Sequence, residues 1–346
     1  MTFNMKEHLC PTKLSYGYSS PDHWCWCGSA IKGEDGKYHM FSARWPKKYP
    51  FFSGYVISSE IIHAVSDTPY GPYEFREVVL GDRGEEFWDG RMTHNPSIVK
   101  CGDTYVLFYI GATYKGARPT VEELCGEKKD PRIDECYANI RIGAATAKSL
   151  NGPWTRPDKP IFERDPDGWD KTIVTNPAPC ICKDGSILMY YRSNTPEGLR
   201  IGVARAEDAS LDFKRIIDHP VLLEHPELRV EDPFVWEEED GFHMIAKDMN
   251  GIAGEVFGGV HMVSKDGIAW DYAEEKQAYS RTIRIEEEDG IREELAYHLE
   301  RPNLTIENGK PIFMTAAYGA DGGELQPFGG NFNVMRESRT LIIPLK

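Results

Sequence analysis

The sequence lacks long apolar segments. No stretch approaches the roughly 18 consecutive apolar residues that a membrane-spanning helix needs. The first 20 residues also lack the basic region followed by an apolar region that marks a secretory signal peptide. We therefore expect a cytoplasmic protein that makes no contact with a membrane.

Positive charge is also in short supply. The 346 residues contain 40 Lys and Arg against 55 Asp and Glu, which gives a formal net charge of −15. Such a surface repels the phosphate backbone of nucleic acids and anionic lipid headgroups. Nucleic acid and membrane surfaces are therefore not expected as partners.

Metal-binding cysteine patterns are missing as well. Of the eight cysteines, Cys25 and Cys27 are two residues apart, and so are Cys180 and Cys182. Neither pair forms a CxxC motif, and no second cluster completes a metal site. A free cysteine behaves as a small buried hydrophobic residue. We therefore expect reduced, structural thiols.

What the sequence does contain is one plan of strands repeated five times. Each copy has a short apolar strand, a Gly/Asp turn, an aromatic-rich second strand and a third strand. The predicted first strands lie at CGSAIK (27–32), NPSIVK (95–100), NPAPCICK (176–183), DPFVWE (232–237) and RPNLTIE (301–307). Short β-branched and aromatic segments bounded by Gly, Asn, Asp and Pro are typical of β-hairpins.

Five such units predict an all-β, five-bladed β-propeller in a single domain, because radial repetition leaves few strand edges exposed. The predicted blades begin near residues 22, 94, 175, 231 and 300. Inserted loops are expected at 45–57, 81–94, 112–138 and 271–297. The last blade is thin, so the N-terminal segment or TLIIPL (340–345) should close the ring.

The first-strand x-Pro motifs and the SLNGPW turn at 149–154 resemble those of the five-bladed propeller glycosidases. These include the family 43 arabinanases and xylosidases and the invertase and levansucrase families. The resemblance implies three carboxylates at the mouth of a central channel: a base or nucleophile Asp, an Asp that tunes a pKa, and an acid Glu. VEDPF at 230–234 and LERPN at 299–303 resemble the Arg-Asp-Pro triplet and later Glu of the invertase group. They fall later in the chain than in that group, and Asn176 stands where family 43 has an Asp.

We predict Asp22, Asp232 and Glu300 as the catalytic carboxylates, because the starts of innermost strands converge on one cavity. Asp22 would be the base, Asp232 would tune the pKa of the acid, and Glu300 would be the acid. Glu231 is the reserve for Asp232, since adjacent residues of a strand project to opposite faces. By the same rule only one of Glu300 and Arg301 should face the axis. Cleavage of a glycoside needs an acid on the leaving oxygen and a carboxylate on the other face of the sugar.

Further polar and aromatic residues lie beside these positions. Tryptophan can stack on the apolar face of a sugar ring. The predicted substrate-binding residues are His23, Trp24, Trp26, Arg91, His94, Asn95, Asn176, Glu231, His298 and Arg301. Arg44, Arg192 and Lys247 end second strands and receive no predicted role.

These residues predict a glycosidase that removes a terminal sugar from short oligosaccharides, with a small carbohydrate as its partner. A glycoside phosphorylase is one alternative, and it would need a cationic phosphate site such as Arg91 with Arg301. A non-catalytic carbohydrate-binding propeller and a protein-interaction platform are the others. No metal or other cofactor is predicted. A calcium ion in the channel stays an alternative, although the sequence has no EF-hand loop.

Overall fold

Five antiparallel sheets surround a central axis in the computed structural model, which describes residues 4–126, 128–320 and 335–346. The innermost strands are β1 (His23–Lys32), β5 (Met92–Cys101), β8 (Thr175–Ile181), β12 (Val230–Glu237) and β18 (His298–Glu307). Each of these strands contacts the next, and β18 contacts β1. The predicted five-bladed β-propeller is confirmed.

The outer strands complete each blade. Blade 1 adds β2 (Tyr38–Pro46), β3 (Glu60–Ser66) and β4 (Glu74–Leu80), and blade 2 adds β6 (Thr104–Ala112) and β7 (Arg141–Ala147). Blade 3 adds β9 (Ile187–Thr195), β10 (Gly198–Ala206) and β11 (Lys214–Arg215). Blade 4 adds β13 (Phe242–Asp248), β14 (Gly259–Ser264) and β15 (Trp270–Tyr279), and blade 5 adds β19 (Lys310–Ala320) and β20 (Glu337–Pro344). Within the described residues, blades 2 and 5 have three strands each, whereas blades 1, 3 and 4 have four.

The ring is closed by both segments that the sequence suggested. Residues 340–345 belong largely to β20, the third strand of blade 5. The N-terminal segment then pairs with that strand, since Tyr18 and Thr340 exchange two backbone hydrogen bonds of 2.9 and 3.0 Å. The third strand of this blade was predicted over 331–338, and residues 331–334 lie outside the described part of the chain.

The insertions between strands carry most of the remaining structure. They hold the helices α2 (Phe51–Ser58), α3 (Val121–Leu124) and α4 (Pro131–Ala138), while α1 (Met5–His8) lies near the N-terminus. α2 contacts α4. The loop predicted over 271–297 is wrong, because this segment contains most of β15 and the hairpin of β16 (Thr282–Glu287) and β17 (Gly290–Leu295). No helix in the described ranges is long and apolar enough to cross a membrane.

A buried aspartate anchors the outer part of blade 2. Asp89 accepts hydrogen bonds from Tyr109 at 2.7 Å, Arg83 at 2.8 Å and Arg156 at 2.7 Å, and its side chain is fully buried. The preceding Trp88 stacks on Tyr109 with ring centroids 5.8 Å apart. The aspartate therefore holds three neighbouring segments together.

Blade 3 repeats this arrangement. Asp170 accepts from Tyr191 at 2.8 Å and from Arg215 at 2.7 Å, and Trp169 stacks on Tyr191. Each buried aspartate follows a tryptophan, in FWDG at 87–90 and in GWDK at 168–171. These carboxylates are structural, because their hydrogen bonds are all made within the blades.

Replacing either buried aspartate by asparagine should destabilise the protein strongly. Loss of one partner of a buried ion pair leaves an uncompensated charge and typically costs about 3–5 kcal/mol. We expect urea unfolding to show that the free energy of unfolding falls by this amount in both Asp89→Asn and Asp170→Asn. Asp158→Asn is the control, since that exposed carboxylate pairs with the same Arg83. Equal stability of the control and the Asp89 variant would contradict the structural role.

Candidate active site

One residue in each innermost strand adopts a left-handed backbone conformation. These residues are Cys27 (φ 30°), Asn95 (φ 53°), Asn176 (φ 54°), Asp232 (φ 57°) and Arg301 (φ 54°). The pairing of each innermost strand with its neighbour shifts register at this residue, as in a β-bulge. Asn and Asp tolerate positive φ better than other non-glycine residues, whereas Cys and Arg do not. The innermost strands of all five blades nevertheless have their bulge at the equivalent residue, next to the axis.

The side chains of these five residues form a chain of hydrogen bonds across the axis. The Cys27 thiol donates to Asn95 Oδ1 at 3.3 Å, and Asn95 Nδ2 donates to Asn176 Oδ1 at 2.8 Å. Asn176 Nδ2 then donates to Asp232 Oδ1 at 2.5 Å. From the other side, Arg301 Nη1 donates to the same oxygen at 3.1 Å, and its backbone N–H donates to Oδ2 at 3.3 Å. We call this set the axial ring.

The bulges place two consecutive residues of a strand on the same cavity. Glu231 and Asp232 both line it, and so do Glu300 and Arg301. The expectation that only one of each pair faces the axis is therefore wrong. Strict alternation holds for a regular strand, but a bulge residue in the left-handed region re-aims the side chain.

The cavity has a volume of about 330 Å³ and a charged floor under aromatic walls. The floor comes from Asn95, Asn176, Asp232 and Arg301 of the axial ring and from the residues that precede them. The walls come from β1, β2, the inserted helices α2 and α4, and the loops of blades 4 and 5. Its aromatic lining residues are Trp26, Trp45, Phe51, Phe52, Tyr55, Tyr137, Phe257 and Tyr297.

Two glutamates from adjacent blades flank one lysine on this floor. The Lys247 ammonium contacts Glu300 Oε1 directly and lies 3.8 Å from Glu231 Oε2. His298 Nδ1 lies 2.7 Å from the same Glu300 oxygen. Lys247 is opposite Glu231 in the β12–β13 pairing, so the sheet itself sets this spacing.

Glu231 also pairs with an arginine from blade 3. Arg192 Nη1 donates to Glu231 Oε1 at 2.7 Å, and Nη2 donates to the Tyr137 hydroxyl at 3.3 Å. Tyr137 belongs to α4, so an inserted helix contacts the charged floor. The floor thus holds three carboxylates, those of Glu231, Asp232 and Glu300, and three cations, Arg192, Lys247 and Arg301.

These contacts shift the pKa values of Glu300 and Asp232 in opposite directions. Burial would raise the pKa of Glu300, but Lys247 and His298 outweigh it and hold the pKa well below its usual range. For Asp232, burial and then the charge of Glu231 raise the pKa to about 6, although Arg301 opposes the shift. Glu300 is therefore ionised at neutral pH, which does not favour the acid role that the sequence predicts for it.

The nearby histidine is held neutral. Burial, together with the charge of Arg301, lowers the pKa of His94 to about 3. Its Nδ1 lies 2.8 Å from the Ser59 hydroxyl, and its ring lies against Tyr55. A neutral imidazole at this position can offer a hydrogen bond without adding charge to the floor.

Several predicted site residues lie elsewhere. Asp22 is exposed and does not line the cavity, so its assignment as the base is corrected. It lies one residue before β1 and five before the bulge, and its carbonyl accepts from the Lys47 backbone N–H. The strand begins earlier than the sequence suggested because it includes the bulge.

Three predicted substrate-binding residues are also outside the cavity. Trp24 donates to the Tyr49 carbonyl at 3.1 Å and packs on Phe51, and His23 lies near Ser20. Arg91 pairs with Asp82 at 3.3 Å, away from Arg301. The cationic pair proposed for a phosphate site is therefore not formed.

The remaining predicted residues line the cavity. They are Trp26, His94, Asn95, Asn176, Glu231, Asp232, His298, Glu300 and Arg301. Sequence reasoning gave no role to Arg192 and Lys247, although both line the cavity. Each stands opposite the residue before a bulge, and this strand register is seen only in the structure.

The eight cysteines do not line the cavity, although Cys27 belongs to the axial ring, and a cluster of potential metal ligands also lies outside it. All eight cysteines are free thiols. Burial raises the pKa of the Cys27 thiol to about 12. One set of three potential ligands in the described ranges is close enough to share an ion, namely Glu238, Asp240 and His243. It lies at the β12–β13 turn, and its members do not line the cavity.

Comparisons with known proteins add a distant relative. No protein-family model matches the chain. An arabinoxylan arabinofuranohydrolase from Paenibacillus polymyxa is 26% identical over 199 residues, which cover 54% of this chain and 29% of that protein. The match therefore spans less than a third of the relative's length.

Solved structures of glycoside hydrolases share the fold. A family 117 glycoside hydrolase from Zobellia galactanivorans has a TM-score of 0.65 at 17% identity, covering 97% of this chain and 89% of that one. A thermostable family-43 glycoside hydrolase has a TM-score of 0.60 at 13% identity, with coverages of 97% and 92%. A GH32 β-fructofuranosidase from Bombyx mori has a TM-score of 0.60 at 15% identity, with coverages of 99% and 66%. The predicted resemblance to five-bladed propeller glycoside hydrolases is confirmed at the level of architecture.

Proposed function

We propose that the protein is a glycoside hydrolase that releases one terminal sugar from a small glycoside. The observation that carries the proposal is the placement of Glu231 and Glu300, from adjacent blades, on one cavity with aromatic walls. Hydrolysis of a glycosidic bond needs two carboxyl groups across the sugar, and aromatic rings bind its apolar faces. Because the 26% identical relative is named an arabinoxylan arabinofuranohydrolase, arabinofuranosides are the first substrates to test.

In this proposal Glu300 is the ionised carboxylate that acts at the anomeric carbon. Its contacts with Lys247 and His298 keep it charged, as that role requires. Glu231 is the proton donor to the leaving oxygen. Water adds across the glycosidic C–O bond, so that the sugar gains a hydroxyl and the leaving alcohol takes a proton through Glu231.

Asp232 has a positioning role. Its two oxygens already accept hydrogen bonds from Asn176 and Arg301, which leaves it poorly placed to donate a proton to substrate. It joins the fourth and fifth blades at the axis and adds negative charge beside Glu231.

Phosphorolysis is less well supported by these contacts. A phosphorylase needs cations that are free to bind phosphate, and each of Arg192, Lys247 and Arg301 contacts a carboxylate of the floor. An aromatic cavity without paired carboxylates would favour a purely binding role, but here the carboxylates are present. Hydrolysis is therefore the function to test first.

The activities of variants at the two glutamates should depend differently on the leaving group. We expect Glu231→Gln and Glu300→Gln to lower kcat by at least about 10²-fold on an alkyl glycoside, since each amide removes a proton-transfer or nucleophilic group. An aryl glycoside with an acidic phenol needs little protonation, so it should restore much of the activity of Glu231→Gln but not of Glu300→Gln. A panel of aryl pyranosides and furanosides, arabinofuranosides included, gives the measurement.

Asp22→Asn is the matched control for both variants. It removes an exposed carboxylate that does not line the cavity, so its activity should equal that of the wild type. Loss of activity in this control, or equal rescue of both glutamate variants, would contradict the assignment.

Removing the lysine should move the acid limb of the pH profile. Without Lys247, burial of Glu300 is opposed more weakly and its pKa rises, so Glu300 becomes protonated at a higher pH. In Lys247→Met the acid limb of kcat/KM should therefore shift to higher pH, whereas Lys247→Arg should keep it near its original position. A pH profile of the methionine variant with an unshifted acid limb would show that this ammonium does not hold Glu300 ionised.

A further inference from the structure

The rim of the cavity beside Glu231 is apolar. Leu199 in blade 3 and Met249 and Phe257 in blade 4 line the cavity and are half-buried, whereas all members of the axial ring except Arg301 are buried. Met249 lies two residues beyond Lys247, the β13 partner of Glu231. The Lys247 ammonium lies 5.1 Å from the centroid of the Phe257 ring and 3.8 Å from Glu231, so the apolar rim is close to the proposed proton donor.

The blade 4 loop at 249–258, which contains Met249 and Phe257, also carries exposed apolar residues. Ile252 and Val256 in this loop are 38% and 41% exposed. The loop is fixed in place because the buried Asp248 carboxylate accepts three of its backbone N–H groups, at 2.7 to 3.1 Å. Phe257 also donates its N–H to the Asp248 carbonyl at 2.6 Å. The apolar rim is thus a formed surface.

Polar side chains beside the apolar rim are already engaged with the backbone. Asn250 donates to the Glu227 carbonyl at 2.7 Å and accepts from the Arg229 N–H at 3.1 Å. The Arg229 guanidinium donates to the carbonyls of Glu197 and Leu228, at 2.7 and 3.2 Å. The hydroxyls of a second sugar would lose their hydrogen bonds to water here and find few replacements.

We propose that the apolar rim is the leaving-group subsite and that it selects glycosides of apolar alkyl or aryl alcohols over glycosides whose leaving group is a second sugar. This rests on the proposed function, since the general acid must stand beside the leaving oxygen and Glu231 adjoins this surface. The polar floor then binds the sugar, and the apolar rim buries the apolar leaving group, the aglycone.

The test varies the aglycone while its chemical reactivity stays nearly constant. Methyl, butyl and octyl glycosides of the sugar released fastest from the aryl panel are compared with a disaccharide that carries the same terminal sugar. The alkyl glycosides are kept below their micelle concentrations. We expect kcat/KM to rise about 10-fold from methyl to octyl, and the octyl glycoside to be hydrolysed faster than the disaccharide.

Two nearly isosteric polar variants test whether the apolar rim causes the preference. Leu199→Asn and Met249→Gln should each lower the ratio of octyl to methyl kcat/KM several-fold. Leu295→Asn is the control, because Leu295 is 57% exposed on the β17 hairpin and does not line the cavity. Its ratio should match the wild type. A disaccharide preference, or an octyl-to-methyl ratio that neither rim variant changes, would overturn the proposal.

Failure of the proposed function would give a different result. If no glycoside is hydrolysed, binding of the octyl and methyl thioglycosides of arabinofuranose, the sugar proposed for the first test, is measured by calorimetry. Tighter binding of the octyl compound that Leu199→Asn weakens would support an apolar subsite without hydrolysis. Equal binding of the two compounds would overturn the subsite as well.

Discussion

The left-handed bulge at the start of each innermost strand is the constraint on which the site depends. A non-glycine residue in this conformation costs on the order of 1–3 kcal/mol and persists only where the surroundings enforce it. Here the axial ring supplies hydrogen bonds from Cys27 through Asp232 to Arg301. Because the bulges of blades 2 to 5 turn two consecutive residues toward the cavity, each of these short strands contributes both a ring member and its preceding neighbour to the floor.

This arrangement explains how similar blades produce an asymmetric site. The residues before the bulges are Trp26, His94, Thr175, Glu231 and Glu300, so an aromatic, a neutral imidazole, a hydroxyl and two acids surround one axis. The charges gather on the side of blades 4 and 5, where Lys247 lies between the two glutamates. The aromatic groups come from β1, β2, α2 and α4 and also from the loops of blades 4 and 5, so they surround the charged floor.

The repeat pattern predicted the five blades and most of the floor, because turn residues and β-branched strands are local signals. The position of Asp22 was misjudged for a physical reason. The Asn95 and Asn176 bulges sit beside a proline, whereas Cys27 is followed by Gly28, so the equivalent position in blade 1 carried no motif. The ion pairs of Lys247 and Arg192 depend on strand register, which the sequence pattern did not fix. The helices α2 and α4 lie in insertions whose aromatic content did not distinguish helix from loop.

The central claim is that Glu231 and Glu300 stand on opposite sides of a bound glycosidic bond. A crystal structure of the Glu231→Gln variant with an uncleaved alkyl glycoside tests this most directly. We predict that the glycosidic oxygen lies within hydrogen-bond distance of residue 231 and that the Glu300 carboxylate faces the anomeric carbon from the other side. A glycoside bound outside this cavity, or one whose anomeric carbon faces neither glutamate, would contradict the account.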